Sequence, residues 1–178
     1  MGQHKAISTF KWLRREKTPR TIPPIPAAVW QKLTYFIGFG FGTGTLPIAP
    51  GTFGTLIAIP LYLLLRPLPW PAYVAIVLLL TLASMWLCDK LSKEIHVHDH
   101  QGMNLDEIIG FLITMIYAPT HWVWIVIGFG LFRLFDIWKP WPIGFLDAKI
   151  HGGFGMVLDD VVAGIYSLIV LQALTWMV

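Results

Sequence analysis

The stretch "HGGFGMVLDDVVAGIYSLIVLQALTWMV", residues 151–178, places two adjacent carboxylates, Asp159 and Asp160, at the mouth of a long apolar run. Residues 161–178 carry no charged side chain, so this run predicts a helix that crosses a lipid bilayer. We expect the two acids in the first turn of that helix, where lipid meets water. The helix dipole stabilises acids there, and the preceding glycines let backbone N–H groups turn toward an anion. Where carboxylates lie beside a site for an anion, we expect a cation between the carboxylates and the anion.

The composition assigns the 178-residue chain to the membrane proteins, because 56% of its residues are hydrophobic and only 13% are charged. The apolar segments that predict helices are residues 53–65, 71–88, 108–118, 122–135 and 161–178. Only the second and the last are comfortably long enough for a hydrocarbon core of about 30 Å. We therefore predict an all-α, polytopic membrane bundle with about four to five hydrophobic helices, some of them short.

The first 32 residues form a basic arm, which holds seven Lys or Arg residues and one acid, Glu16. Its charge and its prolines suit a segment on anionic lipid headgroups or a solvated tail, and composition does not separate the two. Nucleic acid is the weakest of the three partners, and we predict none. We assign residues 1–32 to the arm and residues 33–178 to a membrane-embedded domain. The oligomeric state is not predicted.

Charge also predicts the orientation of the spans. With a cytoplasmic N-terminus, residues 89–107 and 136–160 form inner loops, and they hold every acid except Glu16. The Gly-rich segment 40–52 lies on the same side, as either a phosphate-binding loop or a re-entrant turn without a ligand. The polar chemistry is therefore expected at the cytoplasmic face of the membrane.

A second acidic pair, Asp106 and Glu107, stands at the head of another apolar run. The arrangement repeats that of the first pair, so two helices are expected to begin with paired carboxylates. Just upstream, His96, His98 and His100 alternate, and in an extended segment they would share one side and could bind a transition metal. A solvated interfacial loop is the favoured interpretation of these histidines.

The segment "FRLFDIWKPWP" supplies cations beside the acids. Arg133 and Asp136 are spaced to share one helix face, either as a structural ion pair or as functional boundary charges. Lys139 precedes a proline and is expected just beyond the helix end. Asp147 and Lys149 belong to an amphipathic segment, and we predict that they are solvated and lie outside any site.

These side chains together suit Mg²⁺ and a phosphate, because Mg²⁺ prefers carboxylate and phosphate oxygens. Cys88 lacks the arginine of a cysteine phosphatase, and no DxD nucleophile motif is present. The remaining chemistry is metal-assisted attack of water on a phosphate ester, with a phospho-aspartate intermediate still open. The alternatives are a small transporter or ion-handling protein that uses boundary carboxylates, and a structural subunit, which would leave the acids unexplained.

Four ordered motifs resemble the bacterial phosphatidylglycerophosphatase A family: "LPIAPGTFGT" (46–55), "LDEIIG" (105–110), "FRLFDIWKPWPI" (132–143) and "HGGFGMVLDDVVAG" (151–164). The resemblance covers roughly residues 33–178. It implies a Mg²⁺-dependent enzyme of the bacterial inner membrane that dephosphorylates phosphatidylglycerophosphate, an anionic phospholipid. The positions that match the motifs are Pro50, Gly51, Thr52, Asp106, Glu107, Arg133, Asp136, Lys139, Pro140, Gly152, Gly153, Gly155, Asp159 and Asp160.

From this resemblance we expect three groups of site residues. The expected catalytic carboxylates are Asp106, Glu107, Asp136, Asp159 and Asp160. The expected metal ligands among them are Asp106, Glu107, Asp136 and Asp160. The expected residues for phosphate and substrate binding are Thr52, Arg133, Lys139, Gly152 and Gly153.

Overall fold

The structure is a computed structural model that describes residues 32–96, 100, 102–150 and 152–177. Within these residues it contains seven α-helices, one short 3₁₀ helix at Thr43–Thr45, and no β-strand. The helices are α1 (Leu33–Gly38), α2 (Pro50–Leu65), α3 (Trp70–Ile95), α4 (Leu105–Thr114), α5 (Trp122–Trp138), α6 (Ile143–Lys149) and α7 (Gly152–Trp176). The predicted all-α class is confirmed. The basic arm up to residue 31 lies outside the described residues.

Two helices of the described chain are long and apolar enough to cross a bilayer. Helix α3 has 26 residues and α7 has 25, so they extend about 39 Å and 38 Å. The predicted long span 71–88 lies within α3, and the described part of the other, up to residue 176, lies within α7. The outer side of α3 exposes large apolar side chains, including Leu78, Leu79, Leu82 and Trp86. Exposed apolar side chains of this kind are stable in contact with lipid, and they indicate a membrane protein.

Helix α4 occupies the centre of the bundle, where α2, α3, α5 and α7 pack around it. Every residue from Ile108 to Thr114 is buried, as expected for a helix that is apolar on all sides. Its 10 residues extend only about 15 Å, which is half the thickness of a hydrocarbon core. The predicted segment 108–118 is therefore not a full span. Its last residues form a turn instead.

The start of α7 contradicts our prediction. The helix begins at Gly152, so Asp159 and Asp160 lie about two turns inside it and not in its first turn. Both side chains are buried against neighbouring helices. The dipole of α7 therefore does not explain how these two acids are stabilised, and their partners on other helices must do so.

Packing explains why the glycine-rich segment before these acids is helical. Its low helix propensity favours a loop. However, α7 lies so close to α3 that a Cβ on Gly153 would collide with the backbone of Asp89. The Gly-rich segment 40–52 is also shorter than predicted, since α2 begins at Pro50, a residue whose fixed φ suits the first helical position.

Helices α4 and α7 touch through their backbones at two glycines. A Cβ on Gly164 would collide with the carbonyl oxygen of Gly110, and one on Gly110 would lie 2.8 Å from the carbonyl oxygen of Asp160. The Thr114 hydroxyl donates to the carbonyl oxygen of Gly110 at 2.9 Å. Small residues permit this close packing of helices in membranes. We call the contact between Gly110 and Gly164 the glycine contact.

Two hydrogen bonds fix the C-terminal end of α4 to the long helices. The Tyr73 hydroxyl on α3 donates to the carbonyl oxygen of Leu112 at 2.8 Å. On the other side, Nε2 of Gln172 on α7 donates to the carbonyl oxygen of Ile116 at 2.9 Å. Polar groups inside an apolar bundle need such partners, so these bonds define the position of α4 along the bundle axis.

Candidate active site

Three carboxylates from two helices meet at the start of α4. Asp106 and Glu107 lie in its first turn, as predicted, and Asp160 reaches them from α7. One carboxylate oxygen from each residue lies within 4.8 Å of the other two. The glycine contact explains this meeting, because Asp106 and Asp160 each precede their contact glycine, Gly110 or Gly164, by one helical turn. We call these three residues the acidic cluster.

The N-terminus of α2 lies against Glu107. A Cβ on Gly51 would collide with Oε1 of Glu107 and would lie 3.3 Å from Nη1 of Arg133. A carboxylate is stabilised at this position by the helix dipole. The second oxygen, Oε2 of Glu107, is buried without a hydrogen-bond partner and is available to a ligand. Thr52, predicted to bind phosphate, follows Gly51 in the same turn and is half-buried.

Helix α5 adds an ion pair at the edge of the acidic cluster. Nη1 of Arg133 lies 2.6 Å from Oδ2 of Asp136, and the two side chains are only 16% and 13% exposed. The Asp136 carboxyl is also within hydrogen-bonding reach of Asp160. Nε of Arg133 is buried without a partner. The expected pairing is therefore present, and it joins a cation to the acidic cluster.

Lys139 brings a second cation beside the site. It ends α5 in a left-handed conformation, and its Nζ lies 2.6 Å from Oδ2 of Asp159 and 3.2 Å from Oδ1 of Asp147. Burial alone would lower the pKa of Lys139, but the attraction of Asp159 outweighs it, so the pKa is raised and the side chain stays charged. Asp147 is exposed, as predicted for a solvated acid, but it also contacts Lys139 at the edge of the site.

The two glycines predicted to bind phosphate, Gly152 and Gly153, begin α7 beside α3. The Asp89 carboxylate accepts a hydrogen bond from the backbone N–H of Gly153 and also pairs with Lys93 at 2.6 Å. The backbone N–H of Gly153, at the N-terminus of α7, is therefore already bonded to Asp89 of α3. Gly153 precedes Asp160 by about 10 Å along the axis of α7, so the glycines are set apart from the acidic cluster.

Asn104 is a site residue that the sequence reasoning missed. It is fully buried, and its Nδ2 donates to Oγ1 of Thr43 at 3.0 Å and to the carbonyl oxygen of Pro50 at 2.9 Å. It thereby joins the loop before α2 to the start of α4, directly before the acids. An Asn preceding a helix is a recognisable signal, but it suggests a cap. This side chain makes no cap hydrogen bond.

The two described histidines of this segment, His96 and His100, do not belong to the acidic cluster. His100 is buried, its Nδ1 accepts from the N–H of Gly102 at 3.1 Å, and its ring packs edge-on against Phe39. His96 is exposed at the end of α3, and His98 lies outside the described residues. In the described part of the chain, the group of side chains that fits a metal contains carboxylates and no histidine.

The acidic cluster suits a small divalent cation. Three carboxylates at such short distances repel one another unless positive charge neutralises them. Their oxygens are the ligand type that Mg²⁺ prefers, and Oε2 of Glu107 supplies a buried oxygen without another partner. Of the four predicted ligands, Asp106, Glu107 and Asp160 come together, while Asp136 contacts the cluster through Asp160.

A helical bundle with clustered carboxylates and two flanking cations is compatible with a membrane-embedded phosphatase. The profile of the family described as Phosphatidylglycerophosphatase A matches residues 36–175. The chain belongs to this family, and it is therefore a phosphoric monoester hydrolase. The resemblance of its four motifs is thus confirmed.

Three relatives are similar over most of their length. The Phosphatidylglycerophosphatase A of Escherichia coli is 45% identical over 75% of this chain and 78% of its own length. The protein of the same name from Haemophilus influenzae is 40% identical over 80% of this chain and 90% of its own. A Bacteroides thetaiotaomicron protein named "Putative phosphatidylinositol-3-phosphatase" is 39% identical over 82% and 96%. No solved structure matches the chain.

Proposed function

We propose that the chain hydrolyses the phosphate monoester of phosphatidylglycerophosphate to phosphatidylglycerol and inorganic phosphate, with Mg²⁺ as its cofactor, in glycerophospholipid biosynthesis. The observation that carries the proposal is the acidic cluster beside Arg133 and Lys139. Two relatives bear the name of this activity. The substrate is an anionic phospholipid, so a site within a membrane protein reaches it without extracting it from the bilayer.

Arg133 and Lys139 are the side chains that would bind the substrate phosphate. The guanidinium of Arg133 can donate to two phosphate oxygens at once, while Lys139 supplies a point charge. Arg133 is paired with Asp136, and Lys139 is paired with Asp159 and Asp147, so that both cations are held at the edge of the cluster. A bound phosphate would compete for these cations, and the paired acids would keep them oriented between turnovers.

Asp106, Glu107 and Asp160 would hold Mg²⁺. When bound there, the cation supplies Lewis-acid chemistry, namely neutralisation of negative charge and polarisation of a phosphoryl oxygen. The chain fixes these ligands in advance, Glu107 through the N-terminus of α2 and Asp160 through the glycine contact. Asp160 is buried and Asp106 and Glu107 are partly buried, which limits the access of bulk water and strengthens charge interactions at the site.

The proposal is tested with the purified full-length chain in lipid vesicles that contain phosphatidylglycerophosphate. We expect inorganic phosphate to appear with Mg²⁺ and to stop after chelation, then resume when Mg²⁺ is restored. No release under any of these conditions would refute the activity, and release that persists after chelation would refute the cofactor. Ion flux through the vesicles without phosphate release would favour the transporter alternative.

Phosphatidylinositol 3-phosphate should be tested in the same assay, because one relative is named for a phosphorylated inositol lipid. Both substrates carry a phosphate monoester on an anionic phospholipid, so the site chemistry would be the same. We expect phosphatidylglycerophosphate to give the larger kcat/KM, in line with the two relatives of that name. A larger value for phosphatidylinositol 3-phosphate would reverse the substrate assignment without affecting the phosphatase class.

We also propose a multi-pass arrangement in the bacterial inner membrane, with the acidic cluster at the cytoplasmic face. Lys90→Cys and Lys149→Cys variants should react only with thiol reagents that reach the cytoplasm, and Pro69→Cys should react from outside. All three positions are exposed, and the native Cys88 is buried, so background labelling should be low. Labelling of position 149 by an impermeant reagent added outside would exclude this orientation.

Asn104→Ala should lower the rate of phosphate release about tenfold and the free energy of unfolding by about 1–3 kcal/mol, because two partly buried hydrogen bonds are lost. The loop before α2 would loosen, and Gly51 would no longer be held against Glu107. The matched control is Thr45→Val, since the Thr45 hydroxyl bonds only within its own turn. Equal rates for both variants would exclude Asn104 as a positioning residue.

A further inference from the structure

A cavity lies at the end of the bundle opposite the acidic cluster. It is open on one side and has a volume of about 110 Å³, which is several times the space that one water molecule needs. Its walls come from the end of α2, the start of α3 and the turn after α4, and they include Tyr62, Arg66, Trp70, Tyr73 and Tyr117. The length of α4, about 15 Å, separates this cavity from the carboxylates. We call it the Arg66 cavity.

Arg66 brings positive charge to this cavity without an acidic partner. It follows the last residue of α2, is partly buried, and lines the cavity together with Tyr62. The ion pairs of the described chain all lie elsewhere, toward the end that holds the acidic cluster. A partly buried cation is stabilised when an anion compensates its charge.

Aromatic side chains line the cavity and its rim. Tyr62 and Tyr73 are buried, and their rings meet edge-on with centroids 6.4 Å apart. At the rim, Trp70 and Tyr117 are more than half exposed, and their ring centroids are 5.5 Å apart. Trp and Tyr are typical of the level at which a membrane meets water, because their rings are apolar and their polar atoms stay hydrated.

We propose that the Arg66 cavity binds the phosphate of an anionic phospholipid headgroup. The guanidinium of Arg66 donates to the phosphate oxygens, and the rings of Trp70 and Tyr117 pack against the glycerol and the upper acyl chains. Free inorganic phosphate offers the same oxygens to Arg66, but it has nothing to place against the exposed aromatic rim. The site is distinct from the acidic cluster and does not depend on the proposed hydrolysis.

The test measures lipid binding to the full-length chain in detergent by native mass spectrometry. The anionic probe is phosphatidylserine, whose phosphate is a diester and so is not a phosphate monoester substrate, and the neutral probe is phosphatidylcholine. We expect phosphatidylserine to bind more tightly, and Arg66→Gln to weaken its binding about tenfold, as loss of a charge-assisted hydrogen bond implies. Arg66→Lys, which keeps the charge without the planar guanidinium, should weaken binding less.

Two controls separate this site from others. Lys90→Gln removes an exposed cation that lies over Trp86, and it should leave binding unchanged. Asp106→Asn disables the acidic cluster, and it should also leave binding unchanged. Equal affinities of the wild type, Arg66→Gln and Arg66→Lys, with equal thermal unfolding, would overturn the proposal. Displacement of the lipid by millimolar inorganic phosphate would overturn the choice of a lipid as the occupant.

Discussion

Asp160→Asn and Asp106→Asn should each lower Mg²⁺-dependent phosphate release about a thousandfold, which corresponds to roughly 4 kcal/mol of transition-state stabilisation. Asn keeps the shape of Asp but removes the negative charge, so a hard cation loses an anionic ligand. The folded chain should be at least as stable as before, because each change relieves repulsion within the acidic cluster. The measurement is phosphate release over a Mg²⁺ titration, together with thermal unfolding in detergent.

The matched control for these variants is Glu94→Gln. Glu94 is an acid near the end of α3 that contacts Lys32, at 3.8 Å, and Tyr35, and it does not belong to the acidic cluster. Asp147 is unsuitable as a control, because it contacts Lys139. Near wild-type turnover of either Asn variant at saturating Mg²⁺ would remove that residue from the ligand set. Equal loss in Glu94→Gln would show that any lost carboxylate impairs the enzyme.

Gly164→Ala should reduce both stability and activity, although it adds only one methyl group. The added Cβ would collide with the carbonyl oxygen of Gly110, which belongs to the backbone and cannot rotate away. Overpacking of this kind typically costs about 1–3 kcal/mol of unfolding free energy. Separation of α4 from α7 would also move Asp160 away from Asp106, and a displacement of about 1 Å can cost about a hundredfold in rate.

Gly130→Ala serves as the comparison, since a Cβ at Gly130 on α5 would meet nothing within 4 Å. Alanine also has the higher helix propensity, so this variant should match or exceed the wild-type stability and keep its activity. Thermal unfolding and phosphate release of both variants would be measured side by side. If Gly164→Ala behaved like Gly130→Ala, the glycine contact would not be what positions the acidic cluster.

Local sequence patterns predicted the parts of the site that depend on one helix. The apolar run after Asp106 and Glu107 placed both acids correctly in the first turn of α4. The spacing of Arg133 and Asp136 predicted a shared helix face, and the structure shows them in contact. These predictions hold because helical periodicity and helix termini are properties of a short segment.

The features that depend on contacts between helices could not be predicted in this way. The predicted start of α7 was wrong. The glycines at its N-terminus have low helix propensity, but packing against α3 stabilises the helix there. The contact of Asp147 with Lys139 was not predicted, because nothing in its own segment shows that Lys139 lies 3.2 Å away. Asn104 was missed because its partners, Thr43 and Pro50, are remote in sequence.

The order of the helices along the chain has a consequence for biosynthesis. Helix α4 emerges from the ribosome well before α7, yet Asp106 and Glu107 meet Asp160 only when α7 has docked at the glycine contact. In a nascent chain that stops before α7, one side of α4 would be uncovered, and Asp106 and Glu107 would lack Asp160. Quality control could recognise such a chain as unfinished, and catalytic competence would arise only with the docking of the last helix.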